Sequence, residues 1–374
     1  MSYMNFQDLT ENERLALDAI RRQGGLTRAG IAQTLGITRA HATNVTRELA
    51  AKELIEEEPQ LQGAKGQPTR LIRLRPQATY AIGATFTQNY IEIGLIDWAG
   101  QLKLRQTHPL SQPSPKALSE AISAFSDMAV AKLRVSKKRL CGIGLSVPGD
   151  FIEDRRIINA VYFPNLAGVD LTLAMSEALN RPVCIENDST SAAWGETLLG
   201  AGKTLKSFLF LHIGHGIGGG LVINGRLFRG HHGNAGAFGA PYPDLNAPRP
   251  SGADLLRTLQ AQGYPVEDFE DLKALDPTSD AALIKWLDRA SAQLTPMLSV
   301  LARAFDPEAI IIGGRLPLPL VHGLISRIEN GGFCAHDNGV LPLPRLIASE
   351  LGDAGGVIGA GALTFEPRFY TPAP

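Results

Sequence analysis

The chain of 374 residues is long enough for two or three domains, and 44% apolar with 20% charged residues is an ordinary folded, soluble composition. Its three cysteines, Cys141, Cys184 and Cys334, stand far apart in small or apolar stretches, which excludes a disulfide framework and a CxxC metal knuckle and fits a reducing cytosol. No run of about 18 apolar residues exists and the N-terminus is acidic where a leader would be basic, so a cytoplasmic protein without a membrane partner is expected.

The net charge of −1 argues against a polyanion partner for the chain as a whole, but the charge is uneven. Residues 21–55 hold six Lys or Arg against two acids, and residues 60–75 hold four basic residues and no acid. A basic N-terminal segment on a near-neutral chain reads as an appended module with its own partner.

Within that segment, Leu15, Leu17, Ala19 and Ile20 in "NERLALDAIRRQGG" recur near helical spacing until Gly24-Gly25 stops them. A short helix "TRAGIAQTL" follows with Thr27 as N-cap, then the turn "GIT", then "RAHATNVTRELAAKEL" capped by Thr38. Helix, glycine turn, helix is the helix-turn-helix arrangement. On the last helix Ala42, Val45 and Leu49 share one face, and Arg39, Ala40, Thr43, Asn44 and Arg47 share the opposite one, a short, polar and cationic set suited to base edges and phosphates. The following "IEEEP", "QLQGAKGQP" and "TRLIRLR" read as strand, hairpin and strand, a wing carrying Lys65, Gln67 and Arg70 toward backbone or minor groove. A solvated helical hairpin that contacts other proteins is the competing reading of this module.

From Pro76 the texture changes. Strand-like runs "YAIGATF", "YIEIGLID", "LCGIGLSVPG", "PVCIEN", "SFLFLHIG", "GGLVING" and "AIIIGG" alternate with helical stretches such as "PKALSEAISAFSDMAVAKL" and "STSAAWGETLL". An α/β domain with a mixed sheet is expected, its strand, strand, strand, helix, strand pattern occurring twice, over residues 79–187 and 206–314. Two such halves imply a cleft between them where a ligand would bind. Gly214, Gly216 and Gly219 match GxGxxG as a bare pattern, but a second strand follows directly where that fingerprint needs a helix, and no GKS or GKT phosphate loop is present. The glycines of "GHHGNAGAFGA" at 230–240 look like a loop laid against a phosphate or a sugar, with no acid or strong donor to grip either.

"CIENDSTSAAWGE", "IGHGIGGGLVINGRLFRG", "DPEAIIIGG" and "DAGGVIGAGAL", in this order, resemble the ROK family of repressors, open reading frames and kinases. The resemblance covers essentially the whole chain. It implies an α/β fold in which an N-terminal winged helix-turn-helix, residues 1–75, precedes a two-lobed sugar-kinase/actin-like domain, residues 76–374, with lobes near 76–190 and 191–374. Several members of the family are sugar-responsive transcription regulators.

The departures from the family's kinase pattern point the same way. The family's Asp-x-Gly-Gly-Thr loop stands here as "AIGATFTQN", with Ala81 or Ile82 near the place of the acid and a single glycine. Its Gly-Thr-Gly loop reads Gly214-His215-Gly216. Its Gly-Glu-x-Gly-His, whose acid and imidazole hold sugar hydroxyls, becomes "GAFGA", with Ala237 and Ala240 in those places. Its cysteine-rich zinc motif is replaced by "PYPDLNAPRPSGADLL", so no metal and no cofactor is expected. Asn187-Asp188 remains, and the resemblance makes Asp188 the counterpart of the kinases' base; as residues alone, Asp188 could equally be the N-cap of the helix that follows. With Asp254, and with His231 or His232 as further donors, this pair makes the candidate effector site.

These readings combine into a transcription regulator, a homodimer or homotetramer on double-stranded operator DNA, whose degenerate kinase domain binds a sugar-like effector and reorients the DNA-binding modules on closure. The alternatives are an active ATP-dependent sugar kinase with an accessory DNA-binding module, and a scaffold that binds proteins through its helix-turn-helix.

Overall fold

The computed structural model describes residues 9–60, 69–153, 156–159, 161, 163–334 and 340–369. Lys65 and Gln67 of the expected wing tip lie outside them.

The N-terminal segment forms α1 (Glu11–Gln23), α2 (Arg28–Leu35) and α3 (Arg39–Ala51), then the antiparallel pair β1 (Ile55–Gln60) and β2 (Thr69–Leu74). Each helix begins where a threonine hydroxyl replaces the missing intrahelical acceptor. The Oγ1 atoms of Thr10, Thr27 and Thr38 accept from the backbone N–H of Glu13, Gly30 and His41 at 3.3, 3.0 and 3.2 Å. At the far end of α1 Gly24 takes the left-handed conformation, φ 68°, that a side chain would disfavour. Ala16, Leu17, Ile20, Ile31, Ala42 and Leu49 are fully buried between the three helices. Leu15, expected on the apolar stripe of α1, faces solvent at 48% exposure. Ala16 occupies the inward position, because the core-facing stripe of α1 runs through 16, 17 and 20.

By internal contacts the chain divides into two compact units, one of Met1–Pro148, Arg156–Glu186 and Ala360–Pro374, the other of Gly149–Arg155 and Asn187–Gly359. The first therefore contains the winged-helix segment and the stretches that follow it up to Glu186, apart from Gly149–Arg155, together with Ala360–Pro374.

After the winged segment come β3 (Tyr80–Phe86), β4 (Tyr90–Asp97), β5 (Leu102–Pro109), α4 (Pro115–Leu133), β6 (Leu140–Val147), β7 (Phe151–Glu153), β8 (Ile157–Ile158), α5 (Leu171–Leu179) and β9 (Val183–Asn187). The chain continues through α6 (Asp188–Leu199), β10 (Phe208–Ile213), β11 (Ile217–Ile223), β12 (Arg226–Phe228), α7 (Gly252–Gln260), α8 (Ala281–Phe305), β13 (Ala309–Gly314), α9 (Leu318–Asn330), β14 (Arg345–Ala348), α10 (Gly355–Leu363) and α11 (Glu366–Phe369). Among the described residues each unit holds a five-stranded sheet, ordered β5-β4-β3-β6-β9 in the first and β12-β11-β10-β13-β14 in the second. In both, three antiparallel strands precede a parallel neighbour reached through a helix, so the repeat read from the sequence is present. Its second copy does not stop at Gly314 but runs on through α9 to β14. Ile310, Ile311 and Ile312 of β13 are fully buried, as a strand inside a sheet covered on both faces requires.

Candidate functional site

On α3 Arg39, Ala40, Thr43, Asn44 and Arg47 are exposed, as are His41, Glu48, Ala50 and Ala51, while Ala42, Val45, Thr46 and Leu49 are buried against α1 and α2. The helix thus presents one short polar face to solvent. Thr43 spends its hydroxyl on the Arg39 carbonyl at 2.9 Å, leaving its methyl group outward-facing chemistry of the kind that meets a thymine methyl. Arg47 lies 3.8 Å from Glu48, a loose exposed pair that a phosphate could outcompete. Arg70 on the wing is exposed, and Glu57 holds it at 3.4 Å while also bonding Arg28.

In the second unit the start of α6 is capped by Asn187, not by Asp188. Asn187 Oδ1 accepts from the N–H groups of Ser189 and Thr190 at 2.9 and 3.2 Å, and its Nδ2 donates to the Gly149 carbonyl at 2.9 Å. Asn187 is the helix cap. Asp188, free of that duty, uses Oδ1 for the Ser189 N–H and hydroxyl at 2.7 and 3.1 Å. Its Oδ2 has no hydrogen-bonding partner among the described residues, which leaves a half-buried carboxylate oxygen available to a ligand.

Two imidazoles stand in the electrostatic reach of Asp188. His212, near the end of β10, is buried, and burial lowers its pKa while Asp188 raises it. Its Nδ1 has no partner among the described residues. His215, in the Gly214-His215-Gly216 loop, packs edge-on against Phe269 with ring centroids 5.1 Å apart. Although the residue keeps an exposed edge, desolvation of the inner one lowers its pKa, against Asp268 and Asp188 which raise it. Neutral imidazoles beside a carboxylate offer donors and acceptors to hydroxyl groups and no fixed positive charge to a phosphate. Arg315, over Phe269 at 4.8 Å and 3.6 Å from Asp268, is the nearby cation, its pKa lowered to about 10 by burial.

The glycines that look like a ligand loop in the sequence serve packing. A Cβ on Gly218 would collide with the Ser189 hydroxyl, one on Gly219 with the Phe238 ring, and one on Gly236 with the Gly219 carbonyl. They let β11 press against the start of α6 and let the 230–240 loop press against β11. Gly216 alone in this group faces open space.

The other sequence candidates fall apart from one another. Asp254, on the first turn of α7, is 5% exposed and consumed by the fold: its Oδ2 accepts from Trp286 Nε1 at 2.9 Å and from Arg289, and Arg257 stands 3.7 Å from Oδ1. It is an internal counterion, and the expectation that it grips an effector is corrected accordingly. His231 and His232 are both exposed, their rings 4.6 Å apart and nearly perpendicular. Their loop is tied through Asn234, which exchanges hydrogen bonds with the Phe151 backbone at 2.7 and 2.8 Å, to the same 149–151 stretch that Asn187 holds. Ala237 and Ala240 are exposed on that loop, and Ala81 and Ile82 are fully buried inside β3. Sequence reasoning missed His212; the signal was a single imidazole interrupting the otherwise apolar run "FLFLHI".

Among the described residues no helix is long and apolar enough to cross a membrane, and no group of three or more His, Cys, Asp or Glu is placed to hold a metal ion. The MarR family profile matches residues 7–64 and the ROK family profile residues 81–366. Uncharacterized protein y4fQ of Sinorhizobium fredii is 38% identical over 368 residues, spanning 98% of this chain and 93% of its own. The xylose repressor of Bacillus spizizenii is 28% identical over 315 residues, 80% of this chain and 81% of that one. A crystal structure described as a ROK family transcriptional regulator, homolog of the E. coli MLC protein, shares the fold with a TM-score of 0.70 at 20% identity over 96% of both chains. A family profile that spans most of the chain, over a sheet repeated in both units, places this protein in the ROK family.

Proposed function

We propose that the protein is a sugar-responsive transcriptional repressor that has lost sugar kinase activity. The observation that carries this reading is the α3 face, where Arg39, Ala40, Thr43, Asn44 and Arg47 lie together in solvent on a winged helix joined to a ROK domain. An exposed polar helix of this size fits a major groove, with its N-terminal residues over base edges. The name of the xylose repressor relative supports a sugar effector. Asp188, with the neutral imidazoles of His212 and His215, is the donor and acceptor set that receives its hydroxyls, and Asn187 holds Asp188 in place.

The family also contains kinases. Against phosphoryl transfer here stand Ala81 or Ile82 near the place of the first loop's acid and His215 in the place of the second loop's hydroxyl, since catalysis of that step depends on held phosphates and metal. The protein acts as a homodimer or homotetramer on paired half-sites.

The experiment is selection of bound sequences from a random duplex pool by the full chain, followed by binding titrations at several salt concentrations with and without xylose or glucose. A recurrent sequence should emerge; Arg47→Ala should flatten the log–log salt slope by about one phosphate contact, and Asn44→Ala should blur sequence preference. Failure to enrich any sequence, or phosphorylation of a sugar from ATP that Asp188→Asn abolishes, would overturn the reading.

A further inference from the structure

The segment that stands in place of the family's zinc motif is a tightly held strap. Tyr242 donates its hydroxyl to the Gln293 carbonyl at 2.7 Å, Gln293 Nε2 donates to the Pro248 carbonyl at 2.9 Å, and Arg257 Nη1 donates to the Leu245 carbonyl at 3.1 Å. The strap then turns through a bond from the Ser251 N–H to the Arg249 carbonyl at 2.8 Å and enters α7, whose N-cap is Ser251. These ties fix the backbone on both sides of Arg249.

Arg249 is 7% exposed. Its Nε is buried without a hydrogen-bonding partner, and no acid among the described residues pairs with its guanidinium. Two further polar atoms on α8, beneath the strap, are orphaned in the same way: Arg289 Nε and Gln293 Oε1. The one buried carboxylate here, Asp254, is already engaged by Trp286, Arg289 and Arg257. Of the neighbouring surface acids, Asp288 bonds Arg327 at 2.6 Å and Asp244 accepts from the Asn246 N–H at 2.8 Å. Arg257 and Arg289 thus share the Asp254 carboxylate, and Arg249 pairs with no acid among the described residues.

A buried guanidinium without a counterion is costly, and an arginine stays charged at any physiological pH. The strap is rigid, so the side chain is held ready for a group brought from outside. The start of α7 is also joined to the candidate effector site: the Gly252 N–H donates to the Gly214 carbonyl at 2.9 Å, and the Ala253 N–H to the His215 carbonyl at 3.3 Å. We propose that Arg249 anchors an anion-binding site that takes the carboxylate or phosphate of a sugar-derived effector, by the two-pronged geometry that guanidinium groups form with such oxyanions. The sugar portion of this proposal rests on the effector reading above, and the anion portion stands on Arg249 alone.

The test is thermal melting of the full chain at constant ionic strength with inorganic phosphate, glucose 6-phosphate, gluconate and glucose, in the parent, Arg249→Met and Arg249→Lys. A ligand of the folded state raises the melting temperature by mass action. The parent should respond to at least one anion more strongly than to glucose, the phosphate and gluconate arms telling the two oxyanion sources apart. Arg249→Met should weaken that response at least about tenfold in apparent affinity, the scale of a lost charge-assisted hydrogen bond, and leave any glucose response unchanged. Arg249→Lys keeps the charge and protects the test against misfolding of the Met variant; it should melt like the parent and bind the anion more weakly. An anion response in the absence of any sugar response supports this site and defeats the sugar reading. Equal responses in parent and both variants, no anion response in the parent, or a change of oligomeric state in Arg249→Met as its only effect would overturn the proposal.

Discussion

The indole of Trp98 lies flat on the ring of Phe369, with centroids 4.9 Å apart and planes 8° from parallel. Trp98 also meets Phe365 edge-on at 5.2 Å and donates its Nε1–H to the Leu54 carbonyl at 3.2 Å, just after α3. Arg21 of α1 lies over the Phe369 ring at 5.4 Å, and Arg14 bonds the Pro367 carbonyl. Residues from the two ends of the sequence and from the turn after β4 therefore close one aromatic cluster that fastens the DNA-binding helices to the first lobe.

Phe369→Ala removes the centre of this cluster. Truncating a buried phenylalanine costs about 3–5 kcal/mol. The variant should melt well below the parent and be cut by protease between α3 and β3 sooner, whereas Phe369→Leu should recover most of the loss. Unchanged melting and proteolysis in Phe369→Ala would show that the fastening contributes nothing.

Asn187 and Asp188 are adjacent and both polar, yet their substitutions should act on different quantities. Asn187→Ala strips the cap from α6 and removes the partners of the Thr190 N–H and the Gly149 carbonyl, leaving the Ser189 N–H only its bond to Asp188, a loss of about 0.5–2 kcal/mol for the cap alone. Melting should fall. Asp188→Asn keeps size and should melt near the parent while abolishing the sugar's effect on operator binding. A low-melting Asp188→Asn beside a parent-like Asn187→Ala would reverse the two assignments.

The sequence made the three N-terminal helices, the Thr27 and Thr38 caps, the mixed sheet and its repeat legible because threonine caps, glycine stops and continuous apolar runs each have a local physical cause. What stayed hidden was set by tertiary contact. β5, "LKLRQTHP", is a half-exposed edge strand with little apolar signal, and β14, "RLIA", is too short to register. α10, "GGVIGAGAL", holds glycines where helix propensity is poor; Gly359 is pressed on the Ser191 carbonyl, a contact only the fold reveals. Within the candidate site the pair at 187–188 was visible, but the division of labour within it was not, since either residue type can cap a helix. Asp254 looked like a ligand-holding acid because its hydrogen-bond donors Trp286 and Arg289 are more than thirty residues distant in sequence.

His212 gives the site a dependence on acidity. Burial holds its pKa below 6.5, with Asp188 opposing the shift, so in mildly acidic solution the unfolded chain binds a proton that the folded chain refuses. Its contribution to stability is complete above about pH 6.5 and is lost as pH falls through the depressed folded value, with a limit of about 1.4 kcal/mol per pH unit for one proton. His215, also lowered by burial, acts in the same direction. Glu196 acts in the other: desolvation raises it, despite hydrogen bonds from Ser349 and the Ala201 N–H, so its contribution is lost as pH rises above its ordinary value of 4.5. Comparing the parent with His212→Gln across pH 5–8 cancels those shared terms. The variant's melting temperature should fall less than the parent's between pH 7 and pH 5, and the two should change in parallel above pH 7. A parent and variant that lose stability at the same rate on acidification would mean that His212 accepts a proton in the folded state as readily as in the unfolded one, and with that the neutral imidazole assigned to the sugar site would be lost.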